Sequence, residues 1–183
     1  MRLRILLVFL ALACSAEAQV VRFGGSSITD SNVCTDTLIA KAGPNLATSG
    51  TLEETLYLIT ITANTLSANG DSVRVFASAS TVASTDVKYL RIRYNGLAGA
   101  IVSAAATNVS AEALATSVTC LRNTSTTLQC REEPYGKGTG TVLGTQTVLT
   151  GVNFAADFTL NVTGASAVTG EMTLLAVTAL MFR

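Results

Sequence analysis

Between Leu52 and Gly96 the chain carries three apolar runs, each of strand length, with turn signals between them. The first is Leu56-Tyr-Leu-Ile-Thr-Ile-Thr62, dominated by β-branched and aromatic residues that suit a pleated, half-buried surface. Asn69-Gly70-Asp71 marks a turn, because Asn and Gly tolerate positive φ at little cost. In the second run, Ser72-Val-Arg-Val-Phe-Ala77, one face holds Val73, Val75 and Ala77 while Arg74 points the other way; Phe76 breaks the pattern. In the third, Lys88-Tyr-Leu-Arg-Ile-Arg-Tyr94, Leu90, Ile92 and Tyr94 share one face and Arg91 and Arg93 the other. A period of two is the mark of strands with one face in a core and one in water.

The rest of the chain follows the same grammar. Val20–Phe23 and Thr35–Lys41 are short strand candidates, separated by the Gly24-Gly25 break, and Ala42-Gly-Pro-Asn45 and Ser49-Gly50 are turns. The 19–50 stretch reads as an ordinary set of first strands, or as an arm that lies along a neighbour's sheet edge. Ala98–Ala106 is small and apolar, which suits either tight packing or a weak strand. Glu112-Ala-Leu-Ala suits a helical turn, whereas Ser117–Arg122 reads as a strand that Gln129–Glu133 should meet antiparallel across the polar turn Asn123–Thr127. Thr141–Thr150 and Asp157–Gly164 are further strands. Met172–Phe182 is apolar on both faces, which predicts either a contact with another subunit or a central strand covered on both sides. The fold class is therefore all-β: an antiparallel jelly-roll β-sandwich of about eight strands, over residues 51–183.

The strand ending Ile-Thr-Ala-Asn-Thr-Leu66, the turn Ala68-Asn-Gly-Asp71, the run Lys88-Tyr-Leu-Arg-Ile-Arg-Tyr-Asn-Gly96 and the last two strands together resemble a jelly-roll domain that recurs in tailed-bacteriophage virion structural proteins of the tail, fibre and head-decoration type. The resemblance covers roughly half the chain and its motifs are compositional. It implies a fold and an assembly role, with the protein itself or other virion proteins as partners.

Composition narrows the function. Twelve basic and twelve acidic residues leave no net charge, so there is no basic field for nucleic acid. The chain has no His, which removes Ser-His-Asp and Cys-His chemistry and most catalytic zinc sites, and no Trp platform for sugars. Glu53-Glu54 and Glu132-Glu133 are adjacent in strand contexts, so each pair points to opposite faces and cannot serve as a paired acid and base. Asp71, Asp86 and Asp157 lie near turns, where Asp bonds locally, and no Asp-rich loop has the spacing of a calcium site. These readings predict no catalytic residue, no metal site and no cofactor.

The first eighteen residues read as a secretion signal. Arg2 and Arg4 precede the apolar Ile5–Ala13, too short to span a bilayer core of about 30 Å as a helix, and Ala16-Glu-Ala18 is an A-x-A site that sets cleavage between Ala18 and Gln19. Leu12-Ala13-Cys14 is an imperfect lipobox that offers a rival cut, and an uncleaved arm that docks on the domain or a partner is the other alternative. Cys120 and Cys130 are equidistant from Ser125, so a turn centred there sets them opposite each other on paired strands, within disulfide range. Export predicts that they are bridged; maturation in the cytosol predicts two buried thiols. Cys34 is left over, buried or bridged to another chain.

The Pro134–Gly140 loop, PYGKGTG, lacks the Walker spacing, but its Tyr135 and Lys137 are candidates for contact with a partner or a cell-surface glycan. Asn108, Asn123 and Asn161 each head a glycosylation sequon. Two function classes follow. The first is a non-enzymatic structural subunit that self-assembles, as an extracellular surface filament or a virion component. The second is a secreted carbohydrate- or surface-binding module, against which the aromatic content of 5% counts.

Overall fold

Alternation places the strands, and their pairing makes the jelly roll. The computed structural model describes residues 21–23, 26–28, 37–42, 46–107, 113–133 and 146–183. Among them are thirteen strands: β1 (Val21–Phe23), β2 (Ser26–Ile28), β3 (Thr37–Ala42), β4 (Leu46–Ala47), β5 (Glu54–Ile61), β6 (Ser72–Thr81), β7 (Lys88–Tyr94), β8 (Ile101–Thr107), β9 (Ala113–Thr124), β10 (Thr127–Glu133), β11 (Gln146–Thr150), β12 (Phe158–Ala165) and β13 (Met172–Phe182). β1 and β2 form a separate antiparallel pair.

Four antiparallel pairs are nested in the chain: β3 with β13, β5 with β12, β6 with β9, and β7 with β8. The chain is thus one long double arm folded over. Its successive pairs fall alternately into two sheets, which β13 closes against β6 and β12 closes against β7. The small sheet runs β5-β12-β7-β8; the large one runs β11-β10-β9-β6-β13-β3, with β4 also on β13. The eight strands of a jelly roll are all present, with β4 on the same side of β13 as β3, and the β10–β11 hairpin widens the large sheet.

The inward faces make one core. Val73, Val75, Ala77 and Ala79 of β6, Leu90 and Ile92 of β7, Leu160 and Val162 of β12, and Val177 and Ala179 of β13 are all fully buried. Each large aliphatic side chain so buried contributes about 1.5–3 kcal/mol. Tyr94 stacks obliquely on Phe158, which meets Phe154 edge-on, and burial raises the Tyr94 phenol above its ordinary pKa.

Two expectations change, and between two alternatives for the last strand the structure decides. The second run extends to Thr81, because Ser78 and Ser80 keep the alternation while Ala79 turns inward. The helical turn suggested at 112–115 is not formed: Ala113, Leu114 and Ala115 begin β9, where pairing with β6 and burial of Leu114 outweigh the local helix preference of Ala and Leu. The two-faced strand Met172–Phe182 is a central strand, between β6 and the β3–β4 side. Its register shifts between Leu174 and Ala176, so Leu175 is an extra residue that reverses the parity. Met172 and Leu174 before the shift, and Val177, Ala179 and Met181 after it, therefore all face the core.

Two glycines stand at points of close approach, and at Gly99 the approach is by backbone, which cannot move aside. A Cβ on Gly99 would meet the Tyr94 carbonyl, and one on Gly164 would meet the side chains of Met172 and Leu56. Among the described residues no helix is long and apolar enough to cross a membrane.

Candidate functional site

With the core sealed, the chemistry of the described residues lies on the two outer faces and at the strand edges. On the small sheet, Tyr89, Arg91 and Arg93 alternate outward along β7, and Thr163 of β12 stands beside Arg91. Glu53, just before β5, reaches over them. Its carboxylate accepts from Arg93 Nε at 2.6 Å and Nη2 at 2.7 Å, from Arg91 Nη1 at 2.6 Å and from Thr163 Oγ1 at 2.6 Å. The Arg93 fork is bidentate, the strongest form of such a pair. Partial burial pushes the Glu53 carboxyl up, but hydrogen bonds from Arg93 and Thr163 and the charges of Arg91 and Arg93 outweigh it and hold the pKa at about 2. The Arg91 guanidinium also lies 4.2 Å from the centre of the Tyr89 ring.

The large sheet is different. Two rows cross its outer face: Arg131, Thr119, Arg74 and Leu180, then Glu133, Ser117, Phe76 and Thr178. Arg74 reaches over β9 to pair with Glu133, which also accepts from Thr119 Oγ1 at 2.7 Å. This pair is far more open than the Glu53 cluster, with 42% and 30% of its side chains exposed against 14–20%. Beside it Arg74, Phe76, Ser117, Thr178 and Leu180 line a shallow open depression of about 310 Å³. Phe76, the residue that broke the alternation in sequence, is on the outward face with Arg74.

Several other acids serve the fold. Glu132 and Glu133 do point to opposite faces: Glu132 is buried between the sheets, where it accepts from Ser103 Oγ and from the Ala104 N–H, both at 3.0 Å. Glu54 accepts from Ser49, which lowers its pKa. Asp71 accepts the Ala68 N–H at 2.8 Å, and Asp157 accepts the Ala63 N–H from 94 residues away at 2.7 Å. Lys88, fully buried, donates to Ser84 Oγ at 2.8 Å and to the Asp86 carbonyl at 3.0 Å. Among the described residues no group of three or more His, Cys, Asp or Glu could hold a metal ion.

Cys120 and Cys130 are directly paired across β9 and β10 and joined by a disulfide, with both residues buried. Ala18, Gln19, Cys14, Cys34, Tyr135, Lys137 and Asn108 lie outside the described residues. Asn161 is buried, with Oδ1 accepting from the Gly96 N–H at 3.0 Å and Thr159 Oγ1 at 2.8 Å, so a glycan there is incompatible with the fold, whereas Asn123 is exposed near a hairpin turn. The Glu53 cluster and the Arg74–Glu133 pair were not read from sequence. The two outward arginines on β7 were the only sign of the first, and nothing local marks the second, since its members are 59 residues apart.

No protein-family model and no curated protein matches the chain. Among solved structures it is similar to the CBM2 module of the evolved Dit of Lactobacillus casei BL23 phage J-1, at 12% identity and a TM-score of 0.34, with 67% of each chain covered. It is similar to a structure of infectious bursal disease virus, Gx strain, at 14% identity and a TM-score of 0.33, over 91% of this chain and 46% of that one. It is also similar to the β-fructofuranosidase of Schwanniomyces occidentalis, at 8% identity and a TM-score of 0.32, over 81% of this chain and 34% of that one. The chain therefore spans less than half of the latter two, and likenesses this weak carry no argument about function.

Proposed function

We propose that the protein is a non-enzymatic structural subunit that assembles with copies of itself, in an exported surface filament or as a tail or head-decoration component of a virion. The observation that supports this is the outer face of the large sheet. It is built mainly from Ser, Thr and Ala around Phe76 and Leu180, with Arg131 and one half-open ion pair near its β10 side, a surface most of which can lie against another copy with little desolvation of charge. The structural use of Glu53, Glu132, Glu133, Asp71 and Asp157 is in keeping with a role outside catalysis. The test is light scattering and electron microscopy of the protein from its native source. Particles much larger than a monomer are expected; a sharp monomer at high concentration overturns the proposal.

The depression beside Arg74 favours a second reading, a saccharide held by Arg74, Ser117 and Thr178. A glycan-array signal abolished by Arg74→Ala supports it, and one abolished by Tyr135→Ala moves the site to the 134–140 loop.

A further inference from the structure

The two edges of the small sheet are finished differently. Along β8 the edge is capped by side chains of the β10–β11 hairpin: the Ala104 N–H donates to Glu132 Oε1 at 3.0 Å, and the Ile101 carbonyl accepts from Thr147 Oγ1 at 3.5 Å. Along β5 no such cap is found among the described residues. β5 is eight residues long and has β12 on one side and no described strand on the other. An edge strand leaves alternate N–H and C=O groups open to another chain, and proteins usually blunt long edges with Lys, Pro or a covering segment. ETLYLITI has none of these residues, and its Leu58 is 52% exposed. Its register shift on β12 falls at Leu56, which leaves Tyr57–Ile61 regular.

We propose that β5 pairs antiparallel with β5 of a second copy about a two-fold axis, joining two small sheets into one of eight strands. An antiparallel edge is complementary to its own copy, because the rotation sets each donor against an acceptor. An axis near Leu58 brings the two Leu58 side chains together on the outer face and removes both from water. The strand's one charge, Glu54, sits at its start, so the two copies of it fall at opposite ends of the ladder and no like charges meet. This inference rests on the self-assembling reading and names one of its contacts.

The test is hydrogen exchange of the full chain over a concentration series, with light scattering on the same samples. The larger species should slow exchange of the β5 amides that are not bonded to β12. Leu58→Lys, which sets two ammonium groups side by side, should weaken the pairing roughly tenfold or more and abolish that protection, while Leu58→Thr should weaken it less. Thermal melting of both variants checks that the domain is intact. A larger species whose β5 amides exchange as in the monomer overturns this inference and leaves the assembly reading standing. A monomer at every concentration overturns both.

Discussion

The two outer faces of the sandwich are built on opposite plans. The small sheet spends its charge inward along its own surface: Glu53 is enclosed by Arg91, Arg93 and Thr163, so four groups from three segments lock β5, β7 and β12 together. On the large sheet, Arg74 and Glu133 meet above β9 with much of each side chain in water. The same residue types therefore do different work. A carboxylate held by four donors in a largely enclosed site stabilises the sandwich, while an open pair mainly shapes the surface. The teaching is that charge on an outer strand face is no guide to function until its partners are known.

That contrast can be broken in three ways, taken from the largest effect to the smallest. The large sheet has a covalent tie where the small one has an ionic cluster. Replacing both Cys120 and Cys130 by Ala should cost about 3 kcal/mol by the chain-entropy model for a loop of this length, read as a lower urea midpoint. If the loss is within error of zero, the β10–β11 extension is held by its ladder alone.

Next, Glu53→Ala leaves two guanidinium groups without their shared carboxylate and should cost about 2 kcal/mol, whereas Glu133→Ala should cost about 0.5 kcal/mol, both by urea unfolding. Equal losses would remove the distinction between the faces.

Smaller than the loss of Glu53 itself is its acid sensitivity. The folded pKa of Glu53, about 2, lies below its ordinary value of 4.5, so its contribution is present in full above about pH 4.5 and is lost as pH falls towards 2. After allowance for partial exposure this is about 1 kcal/mol, and Glu53→Gln should flatten that part of the pH profile. An unchanged profile in the variant would assign the acid transition to other carboxylates.

Much of the fold was legible because burial imposes a period of two. β7 and β13 match their apolar runs to the residue, and the Cys120–Cys130 pairing followed from the turn between them. The failures have physical causes as well. Ala and Leu at 113–115 carry a local preference that sheet pairing overrode. In β13, the extra Leu175 shifted the alternation, so a strand with one inward face read as apolar on both. The site was less legible than the fold, because Glu53 meets Arg91 and Arg93 across 38 and 40 residues, and Glu133 meets Arg74 across 59.

By itself the sequence determined the all-β class, the faces of β6 and β7, the cross-strand cysteine pair and the opposite directions of Glu132 and Glu133. Each of these depends on residues close in the chain, where alternation and turn geometry act directly. The tertiary structure alone decided which strands are neighbours, which acids are enclosed, and which edge a hairpin caps. Those depend on contacts between distant segments: β8 is capped because a hairpin some twenty residues later folds against it, whereas no described strand lies along the second side of β5.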